Sequence, residues 1–333
     1  MIALVLEAFN QPFIQKEVDR PTAGRGQVLV KIHASGVNPL DLKIKAGQAA
    51  HARTSVPAIL GIDMAGVVEE VGEDVPGFAS GFAPGDEVYG MTGGVGNVQG
   101  SLAEYAAVDA ALLAPKPRNL TFREAAAVPL SFITAWEGLM DRAHTGVGKT
   151  VLVHGGSGGV GHIAVQLAVA AGAMVYATDR SHKASLLESY GAIPIDFTQR
   201  TVDEYVKEHT DGEGFDIVFD SVGGSVLDDS FRAAKIYHGH VLSILGWGTH
   251  SLAPLSFRGA TYSGVFTLIP LLSGNGRVHH GGILREATTI VEAGKLMPLM
   301  DPRHFTMGTV EDAYAALESR TGKGKIVLDI GVS

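Results

Sequence analysis

TVLVHGGSGGVGHIAVQLAVAAGAMVYATDR, residues 150–180, changes character three times in one short run. Thr150 to His154 is a strand-like apolar stretch. Gly155, Gly156, Ser157, Gly158, Gly159, Val160 and Gly161 form a glycine turn, followed by a helix of small residues and a second apolar strand at Met174 to Ala177. That order is a βαβ unit, and Gly156, Gly158 and Gly161 fit the spacing G-x-G-x-x-G. In this pattern the first glycine makes the tight turn, the second lets the backbone approach a pyrophosphate, and the third lets helix pack on strand. The helix N-terminus offers unpaired N–H groups and the positive end of its dipole to that phosphate. Asp179 closes the second strand about 20 residues after the first glycine, where an acidic residue binds the adenosine ribose. The stretch predicts a dinucleotide site.

Two other patterns overlap it. Gly155, Ser157 and Gly159 spell G-x-S-x-G, the nucleophile elbow of α/β-hydrolases, which would need an acid and a histidine further on, such as Asp220 and His304. That reading leaves Asp179 and the later turn at Gly223 and Gly224 without a purpose. Residues 143–150, AHTGVGKT, nearly spell a phosphate-binding P-loop, but such a loop must follow a strand and open a helix, and this one leads into a strand. It reads as a polar turn.

The chain has 333 residues, enough for two domains with their own cores. Charged residues make up 18% and hydrophobic ones 46%, a globular composition. Its net charge of −9 contains no basic run, which argues against nucleic acid or an anionic membrane as partner. No apolar run approaches the ~20 residues of a membrane span and no export signal opens the chain, so a cytoplasmic protein is expected. With no cysteine there is no disulfide, thiolate nucleophile or cysteine-based zinc site. The pairs His238 with His240 and His279 with His280 lack the i, i+4 spacing around a glutamate that marks a zinc hydrolase, and no metal site is expected.

The first hundred residues read as β-rich: Gln27 to His33, Met64 to Val71 and Asp86 to Tyr89 as strands, with Gly72, Gly77, Gly81 and Gly85 spaced like turns of a small barrel. Helices are expected at Arg123–Val128 and, after Pro129, at Ile133–Met140. Beyond the glycine turn, helices at 183–190, 202–209 and 226–235 alternate with strands near Ile193, at Phe215–Phe219 and at His240–Leu245. Such alternation predicts a parallel sheet covered on both faces. The tail adds helices at 283–293 and 310–319 and a strand at 325–330.

Seven ordered blocks then resemble one family: SGVNPLDLKIKAG (35–47), GIDMAGVVEEVG (61–72), GDEVYG (85–90), AAAVPLSFITAWEGL (125–139), VLVHGGSGGVGHIAVQLA (151–168), FDIVFDSVGG (215–224) and GKIVLDI (324–330). They are similar to the zinc-free quinone oxidoreductase (zeta-crystallin-like) branch of the medium-chain dehydrogenase/reductase superfamily. The resemblance implies a GroES-like β-barrel catalytic domain, residues 1–122 plus 297–333, with a Rossmann doubly wound sheet, residues 123–296, inserted into it. The cofactor of such proteins lies in the cleft, and a homodimer forms through the edge of the Rossmann sheet.

The same resemblance places Asn38, Ile62 and Leu130 where zinc-dependent relatives carry metal ligands, and Met91 to Gly100 is too short for their structural zinc lobe. Neither zinc nor flavin is expected. Without a Lewis acid for an alkoxide, the acceptors left are quinones and α,β-unsaturated carbonyls, which take hydride directly. By the resemblance Asn38 faces the substrate, and Lys43 hydrogen-bonds the substrate carbonyl or supplies a proton after hydride transfer. Asp41 fixes the local turn. Thr134 seats the nicotinamide half, Gly246, Val265, Phe266 and Thr267 approach its ribose and carboxamide, and Lys325 stands at the cofactor cleft. Phe132, Trp247, Tyr262 and Phe266 are candidates for an apolar pocket, or for the core. Asp179 favours NAD(H) by repelling a 2′-phosphate, but Arg180, Ser181 and Lys183 follow at once, and NADP(H) is favoured over NAD(H). The expected activity is NAD(P)H-dependent reduction of quinones or conjugated carbonyls. The alternative is a non-catalytic nucleotide-binding protein of the same fold.

Overall fold

Glycine, proline and alternating apolar residues cut the first part of the chain into short strands. The computed structural model describes residues 1–75 and 81–331, so the expected turn at Gly77 lies outside the described residues. The strands are β1 (Ile2–Leu6), β2 (Ile14–Glu17), β3 (Gln27–Val37), β4 (Ala58–Ile59), β5 (Asp63–Val71), β6 (Glu87–Met91), β7 (Tyr105–Asp109) and β8 (Leu113–Pro115), with helices α1 (Pro39–Lys45), α2 (Phe122–Ala126) and α3 (Pro129–Trp136). β1 sits between β2 and β4 in a three-stranded antiparallel sheet. β3 is the long central strand, antiparallel to both β5 and β7, and its register against β5 slips twice, at Leu29/Val30 and Ile32/Ala34. Such irregularities bend a sheet toward closure. Pro129 opens α3 and does not merely interrupt a helix, because a residue at the first helical position needs no N–H.

The second half follows the βαβ expectation. β9 (Thr150–His154), α4 (Gly161–Ala170), β10 (Met174–Asp179), α5 (Ala184–Ser189), β11 (Ile193–Asp196), α6 (Val202–Thr210), β12 (Ile217–Asp220), α7 (Ser225–Ala233), β13 (His240–Ser243), α8 (Ala253–Arg258) and β14 (Thr261–Gly264) alternate along the chain. All six strands are parallel, in the order β11-β10-β9-β12-β13-β14. The central strands β9 and β12 are nearly continuous apolar runs because helices cover both faces, and Leu152, Tyr176, Phe215, Val218, Phe231 and Val241 form one buried cluster. Thr201 caps α6, accepting from the Glu204 N–H while the Glu204 carboxylate accepts from Thr201. The helix expected to run to Met140 stops at Trp136 and continues as a π-turn over Glu137–Arg142, where Gly138 leaves room for the Phe219 ring.

The chain ends with α9 (Ile269–Ser273), α10 (Arg277–Glu292), β15 (Phe305–Thr306), α11 (Val310–Glu318) and β16 (Ile326–Asp329). β15 and β16 extend the sheet of β3, β5, β6 and β8. Two compact units result: Met1–Leu130 with Leu268–Ala293 and the chain from Pro298 onward, and Ser131–Thr267 with Gly294–Met297. The resemblance puts the bounds of the second unit at 123 and 296, but residues 123–130 fall in the first unit, and so do residues 268–293. They join the first because α10 lies on the barrel: Tyr89 donates to the Leu284 carbonyl at 2.7 Å, Asn119 to the Val291 carbonyl at 2.9 Å, and a Cβ on Gly281 would stand 2.3 Å from the Ala111 oxygen.

Candidate functional site

In the second unit the glycine turn joins β9 to α4. Gly155 has φ +76°, a conformation that side chains disfavour, so the tight turn falls on Gly155 and not on Gly156 as expected. Gly156 is bare for another reason: a Cβ there would lie 2.7 Å from the Ala177 Cβ on β10. At Gly161 a Cβ would stand 2.0 Å from the Gly155 oxygen, so only glycine lets α4 begin this close to the turn. Gly158 and Gly159 are exposed, between half-buried Ser157 and Val160, just ahead of α4. A phosphate would meet bare backbone and the positive end of a ten-residue helix.

Parallel strands bring their C-terminal ends to one edge, so the other predicted residues of this unit gather beside the turn. The strands run outward in opposite directions from β9 and β12, and such a switch point is where open α/β sheets bind ligands. There Ser221 Oγ donates to the His154 carbonyl at 2.6 Å. Asp220, buried at the end of β12, accepts from the Val222 and Gly223 N–H groups and from Ser243 Oγ, which fixes the turn after β12. Gly246 follows β13 and gives room to the Tyr262 hydroxyl, 2.3 Å from where a Cβ would be. Val265 and Thr267 are buried after β14, and half-buried Phe266 meets Trp247 edge-on at 6.3 Å. Thr134 is buried on α3. Phe132 is fully buried against Trp136 and Tyr262 packs on Phe231, so these two belong to the core.

Asp179 is turned toward the loop. Its Oδ2 accepts the Ser157 N–H at 3.0 Å and its Oδ1 the Arg180 backbone N–H at 2.8 Å. The Arg180 side chain is exposed, and half-buried Lys183 closes the short turn Ser181–Lys183.

The elbow's partners are committed elsewhere. Asp220 is enclosed as described, His304 is an exposed side chain beside Asp329, and His154 is buried between Tyr205 and Ser230. AHTGVGKT is the polar turn before β9, with Val147 87% exposed.

The first unit holds a second cluster. Asn38, at the start of α1, is 1% exposed; its Nδ2 donates to Asp63 Oδ2 at 2.9 Å and its Oδ1 accepts from Lys325 Nζ. The other Asp63 oxygen accepts the Leu130 N–H at 2.8 Å. Asp41 Oδ2 accepts the Asn38 N–H at 2.8 Å, so Asp41 does fix the turn, while its Oδ1 has no hydrogen-bond partner. Asn38, expected to face a substrate, and Lys325, expected at the cofactor, hold each other in the interior of this unit. Lys43 is exposed on α1. Asp63 escaped the sequence reading, although an acid directly ahead of the apolar run Met64–Val68 was a signal.

Burial pushes the Asp41 carboxyl up to about 7, with the Asp63 charge adding to it, against the Asn38 N–H and the Lys325 ammonium. Burial likewise raises Asp63, to about 6, and lowers Lys325, whose protonated form the two carboxylates support. Folding thus favours protonated Asp41: from the ordinary aspartate range to about pH 7 the folded chain binds more protons than the unfolded one, and this contribution to stability falls as pH rises. Asn at this position does not titrate. Urea unfolding is therefore expected to show Asp41→Asn gaining on the wild type as pH rises from about 5 to about 7, by up to ~1.4 kcal/mol per pH unit. A difference independent of pH contradicts the assignment.

The donor set does not suit zinc. Ile62 and Leu130 have no donor side chain, and the Asn38 oxygen already accepts a hydrogen bond from Lys325 Nζ. Among the described residues no group of three or more His, Cys, Asp or Glu is placed to hold a metal ion.

Comparison with known proteins agrees with this architecture. Residues 24–118 match the alcohol dehydrogenase GroES-like domain and residues 159–298 the zinc-binding dehydrogenase family. The chain is 36% identical to a 2-methylene-furan-3-one reductase of Solanum lycopersicum over 95% of its length and 74% of the relative's. It is 33% identical to a chloroplastic NADPH-dependent alkenal/one oxidoreductase of Arabidopsis thaliana, over 95% of this chain and 75% of the other. A crystal structure of an alcohol dehydrogenase superfamily protein from Novosphingobium aromaticivorans superposes with a TM-score of 0.95 at 53% identity, covering 99% of both chains. With the barrel, the inserted Rossmann sheet and these relatives together, the chain belongs to the quinone-oxidoreductase-like branch of the medium-chain dehydrogenase/reductase superfamily.

Proposed function

We propose that this protein is an NADPH-dependent, zinc-independent reductase of α,β-unsaturated carbonyls or quinones. The observation that carries it is the glycine turn between β9 and α4, which offers bare backbone and a helix N-terminus to a phosphate; Ile62 and Leu130, at two of the positions where the resemblance expects zinc ligands, support the zinc-independent reading because they have no donor side chain. Relatives named as reductases of a methylene-furanone and of alkenals and alkenones support the substrate class. Bound NADPH supplies the hydride. The chain's residues do the rest: the turn at Gly155–Gly161 holds the pyrophosphate, Gly246, Val265, Phe266 and Thr267 with Thr134 seat the nicotinamide half, and Lys43 or water returns a proton. Because Asp179 is engaged by the loop, Arg180 and Lys183 are left to receive a 2′-phosphate. Calorimetry is expected to give an NADPH dissociation constant at least tenfold below that of NADH; the reverse order overturns this preference.

Oxidation of NADPH against a panel of enones, enals and quinones tests the activity. Cofactor binding without turnover on any of them favours the non-catalytic alternative. Lys43→Met is expected to slow enone reduction by about 10²-fold, the scale of a general acid. Unchanged rates with enones and quinones alike remove Lys43 from the mechanism. The reading includes a homodimer along β14, the open edge of the six-stranded sheet, which sedimentation would show as twice 34.8 kDa.

A further inference from the structure

The buried group around Asn38 joins four distant stretches of chain at one point. Asn38 precedes α1, Asp63 opens β5, Leu130 lies in the first turn of α3, and Lys325 precedes β16. An amide side chain can usually turn end for end. This one cannot, because an ammonium, which only donates, faces its oxygen, and a carboxylate, which accepts, faces its nitrogen. Asn38 is therefore fixed at both ends by charged groups that are themselves enclosed. Its backbone N–H then donates to Asp41, which makes it the anchor of the first turn of α1. Farther along the same helix Lys45 pairs with Glu311 at 2.9 Å, so α1 is held at both ends, and exposed Lys43 rides between them.

We infer that Lys325 is a positioning residue for the reduction proposed above: by tethering Asn38 it sets the first turn of α1 and thereby the place of Lys43. The inference rests on that reading of Lys43 as proton donor. Lys325 reaches neither cofactor nor substrate in this role. The cluster works as an internal fastening whose far end is a lysine nearly three hundred residues away.

The test is the double variant Asp63→Asn with Lys325→Met. It removes one charge of each sign, so no ion is left buried alone. The amide introduced by Asp63→Asn can still accept the Leu130 N–H and donate to the Asn38 oxygen, with the Asn38 amide reversed and untethered. Expected is a kcat for enone reduction at least tenfold lower, with KM for NADPH within twofold and a melting temperature close to the wild type. The decisive arm repeats this in Lys43→Met, where the pair should cost nothing further, because residues acting through one group are not additive. An unchanged kcat, or the same factor lost again in the Lys43→Met background, overturns the inference. If the wild type turns over no enone, or Lys43→Met alone has no effect, the reading of the function fails instead. Should the double variant not fold, nitrogen-15 lysine spectra of the wild type decide, with Lys325→Arg used for assignment. A slowly exchanging ammonium at Lys325 supports the tether, and a rapidly exchanging or absent one overturns it.

Discussion

Gly161→Ala is expected to weaken NADPH binding by about a hundredfold, ~2.8 kcal/mol at 1.4 kcal/mol per decade. The added methyl carbon would stand 2.0 Å from the Gly155 oxygen, 2.9 Å from its carbonyl carbon and 3.2 Å from the Gly156 Cα. All three are backbone atoms of the turn, so no side chain can swing aside. Either α4 moves back from the turn or the turn is pushed toward the phosphate. Both separate the helix N-terminus from the loop that faces the ligand. Gly158→Ala is the comparison, since its methyl would meet only the Gly155 oxygen, at 3.1 Å. That variant should fold as well as the wild type and lose affinity through crowding of the ligand alone. Calorimetric titration with NADPH checks both, and an affinity of Gly161→Ala within threefold of the wild type contradicts the described turn.

The second large effect concerns stability. Asp63→Ala removes a carboxylate whose charge supports the buried Lys325 ammonium, and with it the acceptor of both the Asn38 amide and the Leu130 N–H. Leaving a buried charge without the opposite charge that supported it typically costs about 3–5 kcal/mol, because the remaining charge stays enclosed. Urea unfolding of Asp63→Ala near neutral pH should show a loss in that range. A loss below about 1 kcal/mol would mean that water or another group already satisfies Lys325.

The sequence made the second unit legible because its signals are local. Parallel strands buried on both faces are apolar runs, the turn between β9 and α4 is glycine, and Thr201 with Glu204 marks a helix start. The elements that escaped are those whose stability comes from distant partners. β14, with the sequence Thr-Tyr-Ser-Gly, has no alternation and is a strand only because β13 offers it a ladder. α10 reads as part of the second unit by position and joins the first through Tyr89, Asn119 and Gly281. At the site, the glycine spacing was visible but its division of labour was not, since the positive φ of Gly155 depends on how β9 meets α4. The cluster of Asn38, Asp63 and Lys325 was hidden for the same reason. Each residue has an ordinary surface chemistry, and only the antiparallel pairing of β16 with β3 brings the lysine to the asparagine.

Isotopic labelling distinguishes direct hydride transfer to a conjugated acceptor from attack at the carbonyl carbon. NADPH carrying deuterium at the transferred C4 position is incubated with the protein and an α,β-unsaturated ketone, and the product is examined by NMR. Expected is a saturated ketone with deuterium at the β-carbon and a proton from solvent at the α-carbon. An allylic alcohol bearing deuterium on the carbonyl carbon would contradict this expectation, as would a product without the label.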